Sequence, residues 1–164
     1  MLWICRTGKN SMYHDMFLQN QKIYLPWELF NINLSAYKTY SDIKVIVPEE
    51  IKTNNLNSVA NTSNQLDYFC NVMKIDDYVL IPNVKSRFYT LCKITGDYKY
   101  SVDDELHHSH SIKILVKDIP RSIFSKSIQF SLGAYRTIFK VKQEEEVFKT
   151  IEHFLNPDGG KVNG

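Results

Sequence analysis

Three histidines within four residues, His107, His108 and His110, are the side chains of this chain most able to hold a metal ion. Imidazole suits zinc, copper and nickel. No cysteine or carboxylate stands beside them at a zinc-ligand spacing, and neither Cys-x-x-Cys nor His-Glu-x-x-His occurs. The run reads as an exposed loop before a strand, and no metal or other cofactor is expected. Asp103, Asp104 and Glu105 could suit the divalent cation of a nuclease, but no lysine follows a strand carboxylate at the spacing such enzymes use. Asp76 and Asp77 read as turn residues that hydrogen-bond their own backbone. Gly8 lacks the further glycines of a phosphate loop, and no Gly-x-Ser-x-Gly elbow is present. A non-catalytic chain is expected.

What remains are aromatics beside turns. Trp27 ends an alternating run, and Tyr98 and Tyr100 follow Gly96-Asp97. Two residues apart in an extended segment, the two tyrosines face the same way. Flat rings with one polar acceptor suit a nucleobase, and stacking contributes roughly 1–3 kcal/mol per base. The alternative role is core filling with a polar tip turned outward. For Trp3 the core role is favoured; for Trp27, Tyr98 and Tyr100 both stay open. Residues 113 to 142 carry Lys113, Lys117, Arg121, Lys126, Arg136, Lys140 and Lys142 against Asp118 alone, which suits a phosphate backbone. A solvated basic face is the alternative.

The elements that must position these residues follow from periodicity. Leu2 to Arg6 is a short strand with Thr7 to Asn10 as its turn, and Ser11 to Asn20 reads as a helix. Ile23, Leu25 and Trp27 share one face of a strand that Pro26 ends. Ser41 to Ile51 is ambiguous, because Val45, Ile46 and Val47 favour strand while the flanks favour helix. Ser58 to Met73 is helical, with Leu66, Phe69, Cys70 and Met73 as its stripe. Tyr78 to Pro82 and Phe88 to Thr95 form a hairpin. Ile112 to Val116 and Thr137 to Val141 are strands, and Gln143 to Leu155 is a closing helix with Glu144 to Glu146 in its first turn. The fold class is α+β: a small curved sheet or partly closed barrel with two to four helices packed outside.

The chain has 164 residues, enough for one core. Its 10 Tyr, 9 Phe and 2 Trp exclude disorder for most of it. One domain over residues 1 to 156 is expected, with 157 to 164, including Gly159-Gly160, as a tail or linker. A net charge of +2 says little about partners. No apolar run approaches a membrane span, and Met1 to Arg6 reads into a strand rather than a secretion signal. Cys5, Cys70 and Cys92 are odd in number and set among apolar residues, which points to free thiols and a cytoplasmic location.

The order of landmarks resembles the PUA-like superfamily, which includes the EVE and YTH domains. More narrowly, it is similar to domains at the N-terminus of modification-dependent restriction proteins of the McrB and Mrr kinds. The resemblance runs through Leu2 to Gly8, Ile23 to Trp27, Met73 to Pro82, Cys92 to Tyr100, His110 to Val116 and Ser131 to Phe139. It covers nearly the whole chain, and the ordering carries it more than any single piece. Two departures stand out: Asp76-Asp77 replaces a Gly-Asp turn, and Leu115 and Val116 stand where relatives have a tryptophan.

The resemblance implies a non-catalytic module that reads DNA carrying a modified, methylated base, flipped into an aromatic pocket. Trp27, Tyr98 and Tyr100 would enclose the base, with Asp97 and Thr7 beside it. Arg6, Lys9, Lys113, Lys117 and Arg121 would hold phosphates. A nuclease or GTPase effector would sit in another domain or subunit of a restriction system. The alternatives are an RNA-binding module of the same fold and a metal-dependent nuclease using His107, His108, His110 and Asp103 or Asp104.

Overall fold

The computed structural model describes residues 1–158. Its most enclosed strand is β1 (Leu2–Cys5), in which every residue is buried. Alternation sends Trp3 and Cys5 to one side of the sheet and Leu2 and Ile4 to the other. A strand covered on both faces needs a continuous apolar run, which is why Leu-Trp-Ile-Cys shows no polar alternate. β1 pairs antiparallel with β7 (Ile138–Lys140) and parallel with β3 (Tyr78–Asn83). β3 turns back into β4 (Phe88–Ile94), and β4 pairs with the long β6 (His108–Pro120).

β6 runs past the end of β4. Its first residues pair with β2 (Lys22–Tyr24) and with the two-residue β5 (Lys99–Tyr100). The strand order is β2-β6-β4-β3-β1-β7, with β5 beside β6. This mixed sheet curls into a half barrel, as the α+β reading anticipates.

Helices cover both sides. α1 (His14–Asn20), α2 (Tyr40–Ile51) and α3 (Leu56–Asp67) contribute Phe17, Ile43, Val47, Val59 and Leu66 to the core on the Trp3 side. α4 (Lys126–Leu132) and α5 (Glu144–Leu155) place Ile128, Leu132, Val147 and Ile151 on the Leu2 side. Each of these buried apolar side chains contributes about 1.5–3 kcal/mol.

Three expectations change. Ser41 to Ile51 resolves as helix: Thr39 caps it by accepting from the Asp42 amide at 3.1 Å, and helical spacing buries Ile43 and Val47 while Val45 stays exposed. There are five α-helices among the described residues, one more than expected, because α4 gave no recognised signal. The histidine run is not an exposed loop, since His108 and His110 lie in β6 and are buried. The glycines Gly159-Gly160 and the rest of the expected tail from 159 on lie outside the described residues.

Candidate functional site

The structure does not assemble the aromatic slot expected of Trp27, Tyr98 and Tyr100. The Tyr98 hydroxyl accepts from the Leu34 amide at 3.1 Å and lies 2.6 Å from His108 Nδ1. Its ring stacks on His108 at 5.8 Å and meets Phe69 edge-on at 6.3 Å. Burial pushes the Tyr98 phenol pKa up and the His108 imidazole down. Neutral His108 then donates from Nε2 to the Phe30 carbonyl at 2.6 Å and accepts from Tyr98.

Tyr100 donates to the Asn31 carbonyl at 2.8 Å, with its ring against His107 and His108. The two tyrosines do share a face, but that face holds the connection from β2 to α2. Phe30 in this connection sits in the left-handed region at φ 62, a conformation that needs such fastening. His110 places its ring nitrogens 2.9 Å from the Gly96 carbonyl and 2.6 Å from the Phe69 carbonyl, so this imidazole too is engaged with backbone.

Trp27 stands apart from both tyrosines. Its indole N–H reaches Thr137 Oγ1 at 3.3 Å, and its ring lies 6.4 Å from Phe30. Asp97 is exposed. Thr7 is buried, and its hydroxyl finds no partner among the described residues, so it cannot line an open slot. For the aromatic residues the physical reason is common: the Trp27, Tyr98 and Tyr100 polar tips are each already engaged with the protein's own groups.

A different constellation forms on the Leu2 side. Arg6 follows β1, Arg87 closes the β3–β4 hairpin and Arg121 follows β6. The β4–β6 ladder brings the last two together, and the Arg121 amide donates to the Arg87 carbonyl at 3.0 Å. All three arginines line one cavity of about 350 Å³, floored by Tyr89 and Leu132, with no carboxylate in its wall. A second cavity of about 790 Å³ adjoins it, sharing Arg87, Phe88 and Arg121 and adding Lys126. No arginine forms an ion pair among the described residues.

The charges of this cluster act on one another. Burial lowers the Arg6 pKa; the Tyr89 phenol opposes this and the Arg121 charge adds to it. Burial raises the Tyr89 pKa, against the pull of Arg121 and Arg6. Arginine stays protonated under such shifts. The site therefore concentrates positive charge over an apolar, partly desolvated floor, an arrangement suited to phosphate or carboxylate oxygens.

Arg6 has a second task. Its Nε donates to the Arg136 carbonyl at 2.9 Å, and one terminal nitrogen donates to the Leu132 and Ala134 carbonyls at 3.2 and 3.0 Å. The other terminal nitrogen makes no hydrogen bond among the described residues, and Arg6 lines the cavity. From the opposite side, buried Gln65 of α3 accepts from the Thr137 and Ile138 amides, each at 3.0 Å. The segment from Leu132 to Ile138 is thus fixed at its carbonyls by a cation and at its amides by a side-chain oxygen.

A family model described as "Domain of unknown function (DUF8426)" matches residues 2–142. The chain belongs to this family. The DUF8426 match runs from β1 through β7, so it contains all three cavity arginines and Gln65, and it ends just before α5. No curated protein matches the chain.

Within this DUF8426 segment the structure brings together Arg6 and Arg121 of the sequence-selected cations. It adds Arg87, which lies in the turn between the two hairpin strands and carries no local sequence signal of a site. Lys9, Lys113 and Lys117 are exposed and line none of the cavities described above. Lys113 lies opposite Lys93 on the ladder, and with Lys117 it occupies the stretch of β6 beyond its pairing with β2. Lysines on such a strand edge discourage pairing with another chain.

Proposed function

We propose that this chain is a non-catalytic nucleic-acid-binding module that grips the phosphate backbone in the arginine-lined cavity. One observation carries the reading: Arg6, Arg87 and Arg121 converge on one cavity whose wall holds no carboxylate. Three guanidinium groups on one cavity with no carboxylate among them repel one another, and an anionic ligand with several oxygens relieves that repulsion. The Tyr89 floor and the neighbouring Phe88 add apolar and aromatic surface, which a backbone ligand covers and a simple ion does not. Phosphate contacts of this kind set position and carry no sequence information.

The resemblance to PUA-like domains extends the proposal to a modified base in DNA, with RNA as the alternative ligand. It also supports a role as the specificity module of a modification-dependent restriction system, with cleavage or nucleotide hydrolysis in another domain or subunit. Three free cysteines fit a reducing, cytoplasmic setting.

Fluorescence anisotropy with methylated duplex DNA, unmodified duplex DNA and RNA tests the proposal across a salt series. Affinity should fall steeply with salt, with a log–log slope of about −0.9 per phosphate neutralised. Arg121→Gln and Arg87→Gln should each weaken binding and reduce that slope by about 1. Both side chains are exposed, so the fold tolerates their loss. An absence of binding at low salt, or binding indifferent to both substitutions, defeats the proposal. A preference for the methylated duplex supports the modified-base form, and a preference for RNA supports the alternative.

A further inference from the structure

The described residues most out of place in water are two aromatics near the cavity. Tyr135 is wholly exposed, at 104% of its reference area, and Phe130 is 85% exposed. An exposed ring on a mobile loop would need no explanation, but Tyr135 lies on the fastened segment. The carbonyls of Leu132, Ala134 and Arg136 are held by Arg6, and the amides of Thr137 and Ile138 are held by Gln65. Every one of these bonds is made by backbone, and together they leave the Tyr135 ring turned outward. The ordering that binding would otherwise demand of this loop is already in place.

The placement of charge around the ring is equally specific. Gly133 borders the arginine cavity. Arg136 borders two further cavities of about 500 Å³ each, and it makes no ion pair among the described residues. Arg136 stands three positions after Gly133, so the two are at most about 10 Å apart along the chain. The surface therefore runs cation cluster, exposed ring, cation.

Resting on the nucleic-acid reading above, we infer that Tyr135 is a stacking post for an unpaired base. That base belongs to a single strand whose phosphates lie against Arg87 and Arg121 on one side of the ring and Arg136 on the other. Alternating cations and aromatic faces are what a single strand requires, because its bases have free π-faces and its backbone carries the charge. A duplex offers the backbone without the free face, and freeing a base from it costs a few kcal/mol.

The test measures the full chain against a fluorescein-labelled oligothymidine strand and a labelled duplex of the same length. The variants are Tyr135→Ala, Tyr135→Phe and Arg121→Gln. The strand should bind more tightly than the duplex. Tyr135→Ala should weaken strand binding by roughly 5- to 100-fold, the loss of one stacked base. Tyr135→Phe keeps the ring and should stay within about twofold of the parent, since stacking needs the π-face rather than the hydroxyl. Duplex binding should ignore Tyr135 and respond to Arg121. Strand binding unaffected by Tyr135→Ala, or a duplex bound more tightly than the strand, overturns the inference. Salt-dependent duplex binding that responds to Arg121 would then leave the nucleic-acid reading standing. Failure of both probes to bind at low salt overturns the two together.

Discussion

Gln65→Met isolates the polar task of one buried side chain. Methionine keeps the length and the apolar stem of glutamine and removes the oxygen that accepts from the Thr137 and Ile138 amides. The Ile138 amide is enclosed, so stranding it costs about 1–3 kcal/mol. Thr137 is half-buried and can recruit water, which puts its loss at the lower end of that range. The Gln65 amide nitrogen reaches the Asn61 carbonyl only at 3.5 Å, so its loss adds little. The sum is about 2–4 kcal/mol of global stability, read as a lower urea midpoint at unchanged slope. Hydrogen exchange gives a local readout: the amides of 137 and 138 should lose protection beyond the global change. A loss under about 0.5 kcal/mol, the range of an ordinary surface substitution, with unaltered exchange at both amides, would refute the claim that Gln65 holds the start of β7.

Tyr98→Phe removes the hydroxyl shared by Leu34 and His108 and should cost about 1–2 kcal/mol in urea unfolding; a neutral outcome would mean the connection from β2 to α2 is held by other contacts. Burial holds the His108 pKa below its ordinary value of about 6.5, so the unfolded chain takes up this proton first. The His108 contribution is therefore intact above that value and is lost as pH falls below it. The urea midpoint should drop between about pH 7.5 and 5.5, and His108→Gln should show a shallower drop. Gly8 sits at φ 86 and ψ 178, and a Cβ there would lie 2.9 Å from the Tyr13 ring; Gly8→Ala should cost about 1–3 kcal/mol, and an unchanged melting midpoint would contradict this. Burial pushes the Cys70 and Cys92 thiols up to about 12 and raises Cys5 as well, so a thiol reagent at mildly alkaline pH should label all three only after denaturation.

Local pattern made much of the fold legible. The unbroken run Leu2 to Cys5 marks a strand covered on both faces, and Val147 and Ile151 mark the buried stripe of α5. Two elements misled for opposite reasons. Val45-Ile46-Val47 has the β-branched content of a strand, but the Thr39 cap and the burial of Ile43 with Val47 outweigh it. α4 carries Ser125 as a cap and Ile128 with Leu132 one turn apart, yet Phe130 on its solvent side blurs the stripe.

The candidate site was harder to read because it is non-local. Arg6 and Arg87 meet only through the β1–β3–β4 order, and nothing in the turn at Arg87 announces that partner. The same limit applies to the tyrosines. Spacing placed Tyr98 and Tyr100 on one face, and it could not say whether that face looks outward or onto the connection after β2.

The division of labour between lysine and arginine sharpens the functional argument. The ion pairs among the described residues that involve a long basic side chain all use lysine: Lys22 with Asp104, Lys93 with Asp76, and Lys149 with Glu145. If the arginines served only to balance surface charge, some of the same carboxylates should have reached them, since a guanidinium binds a carboxylate in a fork and a lysine cannot. Arg6 instead spends three donors on the carbonyls after α4, where a cation also complements the negative end of the helix. Arg87, Arg121 and Arg136 have no such employment among the described residues. The one arginine used for structure fixes the loop that carries Tyr135, and the other three flank it. A surface selected only for solubility has no reason to keep its forked cations unpaired around an exposed ring on a fastened stretch of backbone, whereas a surface that receives a phosphate chain with exposed bases does.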